Sequence, residues 1–259
     1  MSKAKYLLED SVALITLNDP ATLNAISVEM TDELTALFER ACSEARSIVL
    51  TGEGRAFSSG ANLAGGAPPV DSEGRPDLGG RLEATFNPFV SMLRELPIPY
   101  VTAVNGAAAG IGCSFALMGD LIVAGESAYF LEAFRRIGLV PDGSATYHLP
   151  RMIGRARAME MMLLGEKIPA KTAHEWGLIN RCVPDAELLT TAKALALELA
   201  SGPKSLGMIR RLAWASLDNT WERQLQAERE AQRDAGRTED FREGVQAFFQ
   251  KRPARFKGG

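Results

Sequence analysis

The residues with the clearest chemical potential lie in a glycine-punctuated stretch, residues 104–120 (VNGAAAGIGCSFALMGD), and in the RIGLVPDGS segment that follows it and contains Asp142. Small residues fill the first part of the stretch, and an apolar helix is predicted after them. Backbone N–H groups at such a turn can face a ligand without obstruction by side chains, and a helix N-terminus favours negative charge. The stretch therefore predicts a cradle for an anion or a developing oxyanion.

Other chemistries lack the residues they need. Gly106, Gly110 and Gly112 match the GxxxGxG pattern of short-chain dehydrogenases, but that turn belongs after the first strand, and here it follows the third predicted strand. None of the four tyrosines has the lysine four residues on that this class also needs. The only histidines, His148 and His174, are far apart, which argues against a catalytic metal, and no GxSxG or Walker motif is present.

Composition predicts an ordinary globular protein. A length of 259 residues with 46% hydrophobic and 24% charged residues favours one sizeable domain with a smaller appendage. The net charge of −3 argues against a nucleic-acid partner. Cys42, Cys113 and Cys182 form no CxxC pair, which favours reduced thiols and a cytoplasmic location. We expect no secretory signal and no membrane span, since the charge-free residues 96–119 contain two prolines and four glycines.

Strands and helices alternate along most of the chain. Residues 12–17, 47–51 and 100–104 are apolar runs typical of buried strands, and Ser27 is a candidate N-cap of an amphipathic helix that extends to about residue 45. This order predicts an α/β layer fold with mostly parallel strands. After Pro184 the spacing predicts a helical layer or an arm for oligomer contacts, formed by residues 188–199, 206–217, 221–235 and 241–249.

A long loop separates the second and third of these strands. It begins with residues 55–63 (RAFSSGANL) and continues through residues 64–80, which are rich in Gly, Pro, Asp and Ser. Long loops within a compact domain are usually functional or mobile, so we predict a flexible lid beside a site. Another helix is expected from Leu82, with a kink or late start at Asn87 and Pro88.

Five ordered segments resemble the crotonase superfamily of acyl-CoA hydratases and isomerases, and together they span almost the whole chain. They are NDP…LNAIS at residues 18–27, RAFSSGANL, PYVTAVNGAAAGIGCSFALMGDLIVA, IGLVPDGSATYHLPR and LLGEKIPAKTAHEWGLINRCV. The chain is most similar to the isomerases of phenylacetate catabolism, which act on ring-derived CoA thioesters, through GLVPDxxxT, LPRxxGRARAM, AHEWG and DFREGVQAF.

The resemblance implies an α/β crotonase fold, a spiral of ββα units. Residues 1–199 would form this core with the acyl-CoA site, and residues 200–259 a C-terminal helical region used for trimerisation. A homotrimer or a dimer of trimers is implied. CoA would be part of the substrate, so no separate cofactor and no metal are expected.

The resemblance also assigns site residues. The backbone N–H groups of Ser59 in FSSGA and Ile111 in AGIGC would form an oxyanion hole for the thioester oxygen, and CoA would lie along Ala25 and Ala61. An enolate oxygen in a dry site needs aligned donors, and the loss of one donor can raise the barrier by roughly 3 kcal/mol.

Departures from the family pattern decide the expected reaction. Hydratases of the family use two glutamates, and the corresponding positions here are Ser114 and Phe134. Hydration without an opposed acid and base is inefficient. Asp142 remains, and the similar isomerases use an aspartate of the VPD segment to shuttle a proton between two carbons. We expect an apolar pocket with Phe134 and Val140 to raise the pKa of Asp142.

Simpler interpretations of these residues remain open. Pro-Asp-Gly around Asp142 is also a favoured turn. Ser114 is expected to bond to its own helix backbone, and Glu132 is expected to be an exposed charge rather than a second catalytic carboxylate. The basic tail, with Lys251 and Arg252, either meets CoA phosphates of a neighbouring subunit or is solvated.

The sequence thus favours an acyl-CoA isomerase that shifts a double bond through a thioester enolate, with Asp142 as proton shuttle. The alternative within the superfamily is a hydratase-type enzyme, or an aryl-CoA-processing relative in which Asp142 is a nucleophile. Outside that class, the missing glutamates leave a non-catalytic acyl-CoA-binding scaffold as an alternative.

Overall fold

A computed structural model describes residues 2–63 and 70–259 of the chain. Its strands are β1 (Ala4–Glu9), β2 (Val12–Leu17), β3 (Ser47–Gly52), β4 (Ala56–Ser58), β5 (Tyr100–Val104), β6 (Ala107–Ala109), β7 (Leu121–Gly125), β8 (Tyr129–Leu131), β9 (Ile168–Pro169) and β10 (Arg181–Val183). Its α-helices are α1 (Val28–Glu44), α2 (Leu78–Arg81), α3 (Asn87–Glu95), α4 (Ile111–Leu117), α5 (Ala145–Leu164), α6 (Ala170–Glu175), α7 (Leu188–Ala200), α8 (Ser205–Ser216), α9 (Trp221–Ala235) and α10 (Glu239–Gln250).

The strands form two sheets that are visited in turn. The larger sheet has the order β1-β2-β3-β5-β7-β10, and the smaller has the order β4-β6-β8-β9. Each of the pairs β3/β4, β5/β6 and β7/β8 places its first strand in the larger sheet and its second in the smaller, so the chain advances as a spiral of strand pairs. Only β1–β2 and β8–β9 pair antiparallel among the described strands, which confirms the expected mostly parallel α/β fold.

Local signals predicted several elements closely. The predicted strands are β2, β3 and β5, and helix α1 begins after Ser27, whose Oγ accepts a hydrogen bond from the Met30 N–H at 3.1 Å. Strand β1 was not predicted. Its residues are mostly exposed and lack the apolar run of a central strand, because β1 lies at the edge of the sheet and pairs only with β2.

The predicted lid lies partly outside the described residues, since residues 64–69 belong to the gap. In its described part, the Asp71 carboxylate accepts bonds from the Glu73 and Arg75 N–H groups, and Asp77 caps α2. A π-helical turn then leads into α3, which begins one residue before Pro88. Proline is tolerated there because the first helical turn needs no N–H partner. Mobility of the lid stays a prediction.

Helices cover both faces of the larger sheet. Helix α7 packs Ala192, Leu195 and Ala196 against Val49 and Val101 on one face. The main core, with α1, α3 and α4, lies against the other face. Strands β3 and β5 are therefore buried along almost their whole length, as expected of parallel strands that are covered on both sides.

Arg210 attaches the C-terminal helices to the core. Its side chain is buried, its Nε lies 2.8 Å from the Asp120 carboxylate, and its other nitrogens donate to the carbonyls of Leu93, Arg94 and Leu96 at the end of α3. Burial raises the pKa of Asp120, although the Arg210 charge acts in the opposite direction. One arginine thus satisfies a helix terminus and a buried carboxylate. The boundary at residues 199/200 stays a prediction.

The rest of the C-terminal segment folds back on α10. Arg252 pairs with Glu243 at 2.6 Å, and the Asp240 carboxylate accepts from the N–H groups of Lys257 and Gly258. The basic tail therefore bonds to its own helix in the single chain. Among the described residues, no helix combines the length and apolar character needed to cross a membrane.

We expect Arg210→Met to lower the free energy of unfolding by about 3–5 kcal/mol, because it removes the cation paired with the mostly buried Asp120 carboxylate and the donor to three carbonyls. Urea denaturation followed by circular dichroism measures this change. The matched control is Arg211→Met at the exposed neighbouring position, where a change within about 0.5 kcal/mol is expected. Equal effects of the two variants would contradict the structural role of Arg210.

Candidate active site

The predicted site residues gather at one edge of the smaller sheet. Strands β4, β6 and β8 run parallel, so their carboxyl ends meet at the same edge. Ser59 directly follows β4, Ile111 follows β6 after one glycine, and Glu132 follows β8. The topology therefore brings together segments that lie about 70 residues apart in the sequence.

Two glycine turns approach each other closely at this edge. Gly60 and Gly110 have φ values of +100° and +52°, a region that disfavours residues with a side chain. A Cβ at Gly60 would lie 2.9 Å from the Ala109 carbonyl oxygen, and one at Gly110 would lie 3.9 Å from the Gly60 Cα. At Gly112, a Cβ would lie 2.5 Å from the Ser58 Oγ. Any side chain at Gly60 or Gly112 would push the two segments apart.

The free N–H groups at these turns differ from the prediction. The Ser59 N–H already donates to the Leu23 carbonyl at 2.9 Å, so the predicted oxyanion donor Ser59 has no free N–H in this structure. The N–H groups of Ala61 and Ile111 have no acceptor among the described residues, and that of Ile111 begins α4, where no intrahelical partner exists. Each of these two residues follows one of the close glycines, Gly60 and Gly110.

The predicted CoA-contacting residues also lie together. Ile26, next to Ala25, forms a parallel bridge with Ala61, and its N–H donates to the Gly60 carbonyl at 2.7 Å. A cavity of about 300 Å³ opens at this bridge and is lined by Lys3, Ile26, Ser27, Val28, Glu29, Ala61, Asn62, Arg81 and Phe86. Backbone and basic side chains therefore face one groove beside Ala61.

Asp142 is tied to helix α4. The Ser114 hydroxyl donates to the Asp142 backbone carbonyl at 2.9 Å, rather than to its own helix as expected. Gly143 has φ +58°, and a Cβ there would lie 2.7 Å from the Ser114 Cβ. The turn around Asp142 thus packs directly on the helix that begins at Ile111, which fixes the carboxyl relative to the turn of α4.

The Asp142 carboxyl is partly buried. Its Oδ1 is buried without a hydrogen-bond partner among the described residues, and burial raises its pKa to about 6. Phe134 is buried as expected, and its ring lies 3.7 Å from the position of a Cβ on Gly110. Val140, however, is 79% exposed in the single chain, so it does not belong to the apolar surroundings of Asp142. At pH 7 Asp142 is mostly ionised and still a competent base.

Glu132 is the residue that sequence reasoning placed wrongly. It was expected on the surface, yet its side chain is fully buried and neither carboxyl oxygen has a partner among the described residues. Burial raises its pKa to about 8; the Cys113 thiol acts in the opposite direction, and the Asp142 charge raises the pKa further. A usable signal was its place within an apolar run, AYFLEAF, at residues 128–134.

Histidine does not belong to this site. His148 is buried with its ring edge-on to Trp214, and burial lowers its pKa to about 4. It lines a different, mostly apolar cavity of about 460 Å³, next to α8. This position is consistent with the expected structural role of His148. The titratable groups at the candidate site are therefore Asp142 and Glu132.

The spiral of strand pairs and its glycine-lined edge define the crotonase fold. The family model described as "Enoyl-CoA hydratase/isomerase" matches residues 8–259, and the chain belongs to that family. Its substrate class is accordingly that of acyl-CoA thioesters.

Relatives carry both reaction names. The chain is 44% identical over 255 residues to a "Probable enoyl-CoA hydratase" of Rhodobacter capsulatus, covering 98% of this chain and 97% of that protein. It is also 44% identical over 255 residues to the "1,2-epoxyphenylacetyl-CoA isomerase" of Escherichia coli, covering 97% of each. A solved enoyl-CoA hydratase structure from Geobacillus kaustophilus superposes with a TM-score of 0.90 at 34% identity, covering 99% of this chain and 98% of that one.

We expect Glu132→Gln to stabilise the protein increasingly as the pH rises from 5 to 8. The pKa of Glu132 is about 8 in the folded chain and about 4.5 when unfolded, so folding retains a proton that the unfolded chain releases. The resulting cost is absent below pH 4.5 and reaches about 3 kcal/mol at pH 7. The glutamine does not titrate and escapes this cost.

Chemical denaturation at several pH values measures the difference between variant and wild type. The exposed Glu126→Gln provides the matched control, and its difference from wild type is expected to stay constant with pH. Parallel pH curves for wild type and Glu132→Gln would show that Glu132 is ionised in the folded protein.

Proposed function

We propose that this protein is an enoyl-CoA isomerase that shifts a double bond in an enoyl-CoA or ring-derived CoA thioester. One observation carries the proposal: a partly buried carboxyl with a raised pKa, Asp142, is fixed against the helix whose first N–H is free. The positions of the two hydratase glutamates hold Ser114 and Phe134 instead. This supports chemistry that needs one carboxylate rather than two.

The N–H groups of Ala61 and Ile111 are the donors we propose for the thioester oxygen, in place of the Ser59 and Ile111 pair. Both are unclaimed within the described residues, and both follow glycines that bring the two backbone segments close together. When the α-carbon loses its proton, negative charge moves to the thioester oxygen. Two fixed donors in a dry site stabilise that charge without reorganisation, and Ile111 adds the favourable end of a helix.

Asp142 performs the proton transfers. Its carboxylate takes a proton from C2 of a 3-enoyl thioester, and the C–H electrons form the dienolate. The same carboxyl then returns the proton to C4, and the double bond moves from C3–C4 to C2–C3. No proton is gained or lost overall, so a single carboxyl with a pKa near the working pH serves as both base and acid.

CoA enters as part of the substrate, and we propose no separate cofactor. The groove at Ala61, beside Ala25, supports a thioester that approaches along the backbone of the Ile26–Ala61 bridge. Free thiols at Cys42, Cys113 and Cys182 support a cytoplasmic location.

A hydratase is the second candidate, favoured by the name of the Rhodobacter relative. Water addition needs one group to activate water and another to protonate carbon. Ser114 and Phe134 do not supply that pair, so we rank hydration below isomerisation. The two reactions give different products and are separated in one assay.

We further propose a homotrimer or a dimer of trimers. Large apolar side chains on the C-terminal helices are exposed in the single chain: Trp221 is 74%, Phe248 80% and Phe249 78% exposed. Such a concentration of exposed aromatic surface is typical of a protein interface.

We expect Asp142→Asn to lower isomerase kcat by about 10²–10⁴-fold, because the amide neither takes nor returns the proton. The assay uses 3-enoyl-CoA and 2-enoyl-CoA in deuterated water, with NMR detection of double-bond migration and deuterium incorporation. Asp10→Asn, an exposed aspartate in the β1–β2 turn, is the control and should match wild type. Wild-type turnover in Asp142→Asn would contradict the role of Asp142 as proton shuttle. Faster hydration than isomerisation by the wild type would favour the hydratase. A wild type that binds enoyl-CoA without converting it would favour the scaffold.

We expect wild-type protein to sediment at about three or six times the chain mass of 27.9 kDa in analytical ultracentrifugation. The double change Phe248→Glu and Phe249→Glu should shift this toward the monomer, because it places charges in an apolar interface. Ser43→Glu, on the exposed face of α1, adds a charge elsewhere and should leave the mass unchanged. A monomeric wild type would refute the oligomer.

A further inference from the structure

Two carboxyl groups, those of Glu132 and Asp142, lie close together at one wall of the site, and the Cys113 thiol is the one polar group of the described chain that favours ionised Glu132. Both oxygens of Glu132 and the Oδ1 of Asp142 are buried and unpartnered among the described residues. The Glu132 side chain has no exposed surface, and it lies close enough to Asp142 for the two charges to act on each other. Buried carboxylates are normally balanced by a cation or by several hydrogen-bond donors. Two negative charges at this wall would therefore cost considerable free energy.

Within the described part of the chain, no cation acts on Glu132 to balance its charge. Helix α4 contributes the buried Cys113 thiol, whose pKa is itself raised well above its usual value by burial and by Glu132. The turn before α5 contributes Asp142. Arg135 and Arg136 follow Glu132 on the next helical turn, but their guanidinium groups donate to the carbonyls of Leu164 and Gly165 at the C-terminal end of α5.

Protonation therefore has to resolve the conflict. Two coupled carboxyl groups lose their protons in separate steps, and the more deeply buried one keeps its proton longer. Burial raises the pKa of Asp142 to about 6 and that of Glu132 to about 8. Between these values the pair carries one negative charge, on Asp142, beside a neutral acid.

We propose that Glu132 is a positioning residue of the reaction: it lies behind Asp142 as a neutral carboxylic acid and keeps Asp142 the single charged group on this wall of the site. The inference rests on the proposed isomerase function and deepens it. The active form is the pair with one proton, carried by Glu132. When Glu132 loses that proton at high pH, turnover ends.

Ionised Glu132 would oppose the chemistry in two ways. It contacts Cys113, two residues beyond the Ile111 N–H on the same helix, so its charge would repel an enolate held at that N–H. It would also draw water into the wall, because an unpaired buried charge is costly, and water weakens the hydrogen bonds that stabilise the enolate. Neither effect occurs while Glu132 stays neutral.

The test compares pH profiles of kcat/KM for 3-enoyl-CoA isomerisation in wild type, Glu132→Gln, Glu132→Asp and Glu126→Gln. In wild type we expect a rise through about pH 6 and a tenfold fall per pH unit above about pH 8. Glu132→Gln should keep the rise and lose the fall, because the amide is neutral at every pH. Glu132→Asp should restore a fall at a shifted pH, and the exposed Glu126→Gln should follow wild type.

Infrared difference spectroscopy supplies a readout that a merely structural role would not produce. The wild type minus Glu132→Gln spectrum should contain a protonated-carboxyl band at pH 7 that disappears above pH 8. A Glu132→Gln profile that keeps the alkaline fall, or the absence of that band at pH 7, overturns the role of Glu132 while wild-type isomerisation leaves the proposed function standing. A wild type that isomerises no enoyl-CoA refutes the proposed function instead, and this role with it.

Discussion

The close packing of two glycine turns at one sheet edge is the constraint on which the site depends. Gly60 and Gly112 have backbone or side-chain neighbours less than 3.0 Å from where a Cβ would stand. Parallel strands β4, β6 and β8 deliver three chain segments to this edge, and only residues without side chains let these segments approach. The free N–H groups of Ala61 and Ile111 follow from this approach, since each belongs to a peptide that leaves one of the turns.

Burial of the two acidic groups couples the stability of the protein to its reactivity. A carboxyl in water has no reason to hold a proton at neutral pH, whereas at this wall burial raises the pKa values of Asp142 and Glu132. The folded protein therefore keeps carboxyl groups protonated at pH values at which the unfolded chain would lose those protons. Native sites commonly accept such a cost where chemistry needs an acid or base near neutral pH.

Sequence predicts those features that are set by neighbouring residues. Strand β2 and the Ser27 cap of α1 depend on a short apolar run and a single hydroxyl, and both are confirmed. Long-range contacts decide the rest. Whether the Ser59 N–H is free depends on Leu23, 36 positions away in the sequence, and the burial of Glu132 depends on how deeply the end of β8 lies in the fold. No local pattern encodes the state of the Ser59 N–H. The one local sign that Glu132 is buried is the apolar run around it.

Ser114, which stands at one of the positions of the hydratase glutamates, also contacts Asp142, the carboxyl that we propose as proton shuttle. Its hydroxyl holds the Asp142 carbonyl at 2.9 Å, and Gly143 packs so tightly on it that even a Cβ on that glycine would lie 2.7 Å from the Ser114 Cβ. A glutamate at position 114 would lack that hydroxyl and would have to extend past this turn. The short serine and the nearby Asp142 are therefore parts of one arrangement, in which a single carboxyl is held against the helix that begins with the Ile111 N–H. In the proposed reaction, that arrangement leaves one carboxyl to move a proton within the acyl chain.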